Sequence, residues 1–209
     1  METKEYTKEE HYYYARKFML EGDLDNSLGH YVLLHSEDSE NDEAKFFFAY
    51  YAFLRYLETR ELDIKGIVKS LSESVCNAVK YVKASETDEE EKLNILVSIV
   101  EIYISVLDKI MGYRIPTSQS IILDYIVKYY ALGDTIEKEF EGSYEAMEEA
   151  KKAWKKGIAW QNKFWLNKYE GINQEEYIAK LKKLEPSYNP KTPIIKKIVD
   201  KIKKLFKKG

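Results

Sequence analysis

The chain has 209 residues and 24.7 kDa, with 33 basic against 36 acidic residues, a net charge of -3. Nine Gly and four Pro, beside 44% apolar and 14% aromatic residues, exclude both a disordered chain and a turn-rich β-protein. One cysteine, Cys76, excludes an internal disulfide or a thiolate metal site and points to a reducing, cytoplasmic setting.

Pro is absent before position 116, and apolar residues recur there every three or four positions, the period of one helix face. Five helices are predicted in that half. Thr7 and Glu10 form a capping box for a helix running to about Glu21, where Gly22 can close it in the left-handed conformation. Asp23 caps a second helix of about 24 to 36. A polar run from Ser36 to Glu43 reads as a solvated loop before a third of about 43 to 60, and Asp63 caps a fourth of about 64 to 84. Short connections predict antiparallel hairpins.

The fifth helix, about 88 to 111, is predicted to open at a capping box of Thr87 and Glu90 and to end at Gly112, with Pro116 beyond. It is apolar except for Asn94, Ser98, Glu101, Ser105 and Asp108, whose spacings of four and three form one narrow polar stripe. Such a helix belongs at the centre. The stripe is either its solvent edge or the lining of a polar groove. Helices of about 118 to 132, 143 to 169 and 174 to 184 follow. The second of these carries Trp154, Trp160 and Trp165 on two faces, a pattern of rings packed between neighbours. Pro186, Pro190 and Pro193 make residues 185 to 193 read as an extended linker between a helical domain, 1–184, and a final segment, 194–209.

That final segment is sharply patterned. Residues 191 to 208 hold eight lysines and one acid, a balance of +7, which leaves the first 190 residues at -10. Ile194, Ile195, Ile198, Val199, Ile202, Leu205 and Phe206 recur at helical spacing, and Lys196, Lys197, Lys201, Lys203, Lys204, Lys207 and Lys208 fill the other positions. This is a cationic amphipathic helix whose oily face needs a cover: an anionic membrane surface, the acidic body or a second copy of it in a homo-oligomer, or a partner's groove. The lack of Arg and of interleaved aromatic rings disfavours nucleic acid, as does the acidic body. The start of the chain is too polar for a signal peptide, and the most apolar charge-free run, Leu93 to Val100, is too short for a membrane span.

Residues 14 to 31 resemble a tetratricopeptide repeat. Ala15 stands at that family's small position, Phe18 at its aromatic one and Gly22-Asp23 at its turn, followed by Leu24, a small Ser27 and an aromatic Tyr31. One period of 34 residues onward, Ala15 maps to Ala49 within a tightly packable Phe46 to Ala52 segment. The pattern then decays: Leu34 replaces a small residue, Ser39 the usual proline and Tyr56 the second turn glycine. A partial echo at Tyr129 to Asp134 offers a further Gly-Asp turn but continues with Lys138. The resemblance implies an all-α fold of stacked helical hairpins, an irregular right-handed array or bundle, and an adaptor that holds a protein or peptide in a groove.

Signals for chemistry are sparse. His11, His30 and His35 lie in the first two helices without metal-ligand spacing, there is no glycine-rich phosphate loop, and the acidic runs 37 to 43 and 86 to 91 read as solvated helix caps rather than calcium loops. The expectation is a non-enzymatic scaffold without cofactor or metal. The alternative is a helical enzyme or small-ligand domain with its site along the Asn94 to Asp108 stripe.

Overall fold

The structure is a computed structural model, and it describes residues 6–60, 63–112, 119–164 and 172–190. Those residues form eight helices and no strand. The helices are α1 (Lys8–Glu21), α2 (Leu24–Glu37), α3 (Asp42–Thr59), α4 (Ile64–Ala84), α5 (Glu89–Gly112), α6 (Gln119–Glu139), α7 (Tyr144–Lys163) and α8 (Gln174–Leu184). Each of α1 to α4 packs against the next, as do α4 and α5, α6 and α7, and α7 and α8. Contacts of α4 with α6, of α5 with α7 and of α1 with α5 fold this series back on itself, so it forms one all-α body around a continuous core.

Local chemistry sets the boundaries. Thr7 Oγ1 accepts from the Glu10 amide at 3.2 Å while Glu10 Oε2 accepts from the Thr7 amide at 2.9 Å, the expected capping box. Gly22 adopts φ 78°, and its amide bonds back to the end of α1. Asp23, Asn41, Asp63 and Ser143 accept from amides in the first turns of α2, α3, α4 and α7. At α5 the cap is Asp88, which accepts from the Glu91 amide at 2.8 Å, and not Thr87. Thr87 Oγ1 instead meets Ser85 Oγ at 2.9 Å and takes a contact from Arg16 Nη1 at 3.4 Å.

The central place of α5 is clear. Ile95, Leu96, Ile99, Val100, Tyr103, Val106 and Leu107 are fully buried against α4 and α7, each side chain contributing about 1.5–3 kcal/mol on removal from water. Between α1 and α2 the small residues act as spacers. Ala15 and Ser27 are wholly buried, and Ser27 Oγ donates to the Ala15 carbonyl at 2.8 Å across the hairpin.

Two expectations require correction. The Gly133-Asp134 pair is not a turn: α6 runs through it to Glu139. Gly133 is there for space, because a Cβ would lie within 2.8 Å of Trp154 Cε2 and nearer still to Nε1. Gly157 returns the favour from α7, where a Cβ would meet Tyr130 Cε1 at 3.0 Å. Asp134 then collects Trp154 Nε1, Tyr177 Oη and Lys180 Nζ at 3.2, 2.7 and 3.0 Å, tying α6 to α7 and α8. The second concerns the start of the predicted 185–193 linker, where 185–188 turn back on the body, while 191–193 lie outside the described residues. Pro186 and Ser187 form a turn closed by the Tyr188 amide on the Glu185 carbonyl at 2.9 Å. Lys155 pairs with Glu185 at 2.6 Å and lies over the half-buried Tyr188 ring. The predicted end of α7 at 169 becomes Lys163, with Trp165 to Tyr169 outside the described residues; Trp154 and Trp160 are buried as expected.

Candidate functional site

A surface site lies where α1 meets the end of α4 and the α4–α5 connection. It is an open groove of about 670 Å³, walled by Tyr12 and Tyr13 of α1, Tyr81 of α4 and the segment from Ala84 to Thr87, with Arg16 in its floor. Tyr12 and Tyr81 stack at 6.1 Å between ring centroids. Burial pushes the Tyr12 hydroxyl well above the ordinary tyrosine range, and Tyr81 beside it adds to the shift, so Tyr12 stays neutral. Tyr13 is 59% exposed, with the Lys17 ammonium 6.0 Å from its ring centroid.

The floor is a buried ionic network. Arg16 donates through Nε to Glu43 Oε1 at 3.1 Å and through Nη2 to Glu43 Oε2 at 2.7 Å, while Tyr31 Oη donates to Glu43 Oε1 at 2.7 Å. Glu43 is wholly buried and Arg16 is 4% exposed. Such a fork-on-fork pair has the geometry that repays desolvation. Arg16 Nη1 also approaches Glu91 Oε1 at 3.6 Å, and the guanidinium lies over the Tyr12 ring at 5.5 Å. Four elements, α1, α2, α3 and the start of α5, are thereby fastened under the groove.

These contacts decide the sign of the groove. Arg16 is neutralised by Glu43 and Glu91, and Lys8 on the rim pairs with Asp38 at 2.7 Å. Glu9 and Glu86 remain exposed at the edge. Three tyrosine rings beneath surplus carboxylates make a surface suited to a cationic group, which gains from ring faces and from negative charge together.

By sequence the runs 37 to 43 and 86 to 91 are solvated caps. Glu43 departs from this: it lies in the first turn of α3 but points inward to Arg16, 27 positions earlier. The run 86 to 91 is divided, with Glu86 exposed on the groove rim and Glu91 half-buried toward Arg16.

The predicted stripe on α5 is not gathered into a site. Asn94, Glu101 and Ser105 are exposed, and the hydroxyls of Ser98 and Ser105 donate to the carbonyls of Asn94 and Ile102 in their own helix. Asp108 has a different role, accepting from Trp160 Nε1 at 2.9 Å and from Lys156, so that it pins α7 onto α5. Asp108→Ala should therefore leave the Trp160 indole N–H unpartnered and cost about 1–3 kcal/mol in urea denaturation, whereas Ser105→Ala should fall within about 0.5 kcal/mol of wild type.

The lysine-flanked residues Ile194 to Lys208 lie outside the described residues. Among the described residues no helix is long and apolar enough to cross a membrane, and no group of three or more His, Cys, Asp or Glu is arranged around a metal position. Comparison with protein-family models, curated proteins and solved structures finds no match in any of the three.

Proposed function

We propose that this chain is a non-enzymatic, cytoplasmic helical adaptor that holds a basic peptide segment of a partner protein in the Tyr12–Tyr13–Tyr81 groove. The observation that supports this reading is the groove's composition: tyrosine rings over a guanidinium already satisfied from below, with Glu9 and Glu86 on the rim. A lysine or arginine side chain entering it meets ring faces and unspent negative charge. The resemblance of the first hairpin to a tetratricopeptide repeat points to the same class of function. Equilibrium binding of a short fluorescent peptide rich in Lys and Arg tests it. Exchanging both rim acids, Glu9→Lys with Glu86→Lys, should weaken binding about tenfold, or about 1.4 kcal/mol, and a glutamate-rich peptide should not bind. Equal affinity of the wild type and the double variant would refute the groove as the site.

The same reading gives the final segment a second role, peripheral attachment to an anionic membrane through Ile194 to Lys208. Its support is the sequence pattern alone, seven aliphatic or aromatic residues on one helical face among seven lysines, each lysine adding about 1 kcal/mol near an anionic surface. In co-sedimentation with vesicles of anionic phospholipid at low salt, Ile198→Asp with Ile202→Asp should abolish binding and leave the thermal melt of the body unchanged. Retained binding would contradict the membrane role. A lowered melt would reveal instead that the segment rests on the body.

A further inference from the structure

The seam between α1 and α2 closes on two imidazoles. His11, only 6% exposed, and His30 bring their Nδ1 atoms to 2.8 Å, with ring centroids 5.0 Å apart. Aromatic rings pack against them. Tyr6, ahead of α1, lies 5.5 Å from both, while Tyr14 and Phe18 of α1 stack on His30 at 5.6 and 5.8 Å. His30 is half-buried, and its open side lines a groove with Asp25 of α2 and with Arg55 and Glu58 of α3, which pair with each other; among the described residues neither imidazole has an ion pair.

One hydrogen fits between two nitrogens at that distance. One ring donates from Nδ1 and the other presents its lone pair. A neutral pair meets this condition, and so does a pair with one added proton, which goes to Nε2 of the donor ring. A second proton occupies the accepting lone pair. Two N–H groups then face each other at hydrogen-bond distance, both rings charged, with aromatic rings packed on one side of the pair.

We propose that the His11–His30 pair is a proton-operated latch, which fastens α1 to α2 at neutral pH and releases α1 in mildly acid solution when the second proton binds. Burial, and then the charge of His11, already lower the proton affinity of His30. The opened hairpin therefore binds more protons than the closed one. Closure is fully stabilised above the ordinary histidine value of about 6.5 and is lost progressively as the pH falls below it. Since α1 carries Tyr12, Tyr13 and Arg16, release would also dismantle one wall of the groove. The latch itself rests on the seam alone and stands whether or not a peptide binds there.

Hydrogen exchange on the full chain tests it, in a His35→Gln background that removes the third histidine, whose own proton affinity is lowered by burial and by Lys45. After correction for intrinsic exchange, protection of the α1 amides relative to those of α5 should fall at least about tenfold between about pH 7.5 and about pH 5.5. With His30→Gln added, that fall should disappear. An equal fall in both proteins, or none in either, overturns the latch. Should the added substitution prevent folding, ring titration by NMR decides on the parent. Coupled steps with one midpoint well below about 6.5, accompanied by loss of α1 protection, support it. Independent titration of both rings near that value with α1 still protected overturns it.

Discussion

Glu43→Ala is expected to destabilise the protein by about 3–5 kcal/mol, because it strands the Arg16 guanidinium at 4% exposure without its bidentate partner. For a chain of this size that is a fall in Tm of about 10 °C, read by thermal melting or urea denaturation. The loss should be strongly non-additive. Arg16→Met combined with Glu43→Leu removes both charges, and it should recover much of the stability, since a buried pair exchanged for packed apolar groups is often neutral. Tyr31 sets the remainder: its hydroxyl loses its acceptor in both variants. A single-variant cost under about 1 kcal/mol would mean that Arg16 escapes to water, which its burial under Tyr12 and Thr87 argues against.

Gly133→Ala should destabilise although it replaces glycine in the middle of a helix. Helix propensity and backbone entropy favour the alanine by about 0.5–1 kcal/mol. The clash decides the sign. Its Cβ would fall on the indole of Trp154, a wholly buried side chain held by Asp134 and overlaid by Lys180, which cannot swing aside without breaking those contacts. Overpacking of this kind costs about 1–3 kcal/mol, and displacing the largest side chain of the α6–α7 interface should place the result at the upper end. The matched control is Gly29→Ala in α2, where a Cβ meets nothing within 4 Å and propensity alone should stabilise. Urea denaturation of the pair should give opposite signs.

The helices were legible because their ends are written in local chemistry. Thr7, Asp23, Asp63 and Gly22 act within a few residues of themselves, and the apolar period of α5 is enough to make it the central helix. What was illegible depends on partners far along the chain. Gly133 reads as a stop by local rules and is a spacer only in view of Trp154. Thr87 and Glu90 have the spacing of a capping box, yet Asp88 takes the cap and Thr87 faces Arg16, 71 residues earlier. Glu43 sits in an acidic run that looks solvated, and nothing nearby announces the Arg16 that draws it inward. The groove had no sequence signal for the same reason: its walls come from α1 and from the end of α4, about 70 residues apart in order of magnitude. The faint hint was a cluster of tyrosines at positions 12 to 14, too many for one buried helix face.

The most direct measurement of the adaptor role is amide chemical-shift mapping by NMR on the full chain, titrated with a Lys- and Arg-rich peptide. Binding in the groove predicts saturable shifts centred on Tyr12, Tyr13, Tyr81 and Thr87, weakened by salt and lost in the Glu9→Lys, Glu86→Lys protein. Shifts centred elsewhere on the body, or none at peptide concentrations that saturate binding, would contradict it.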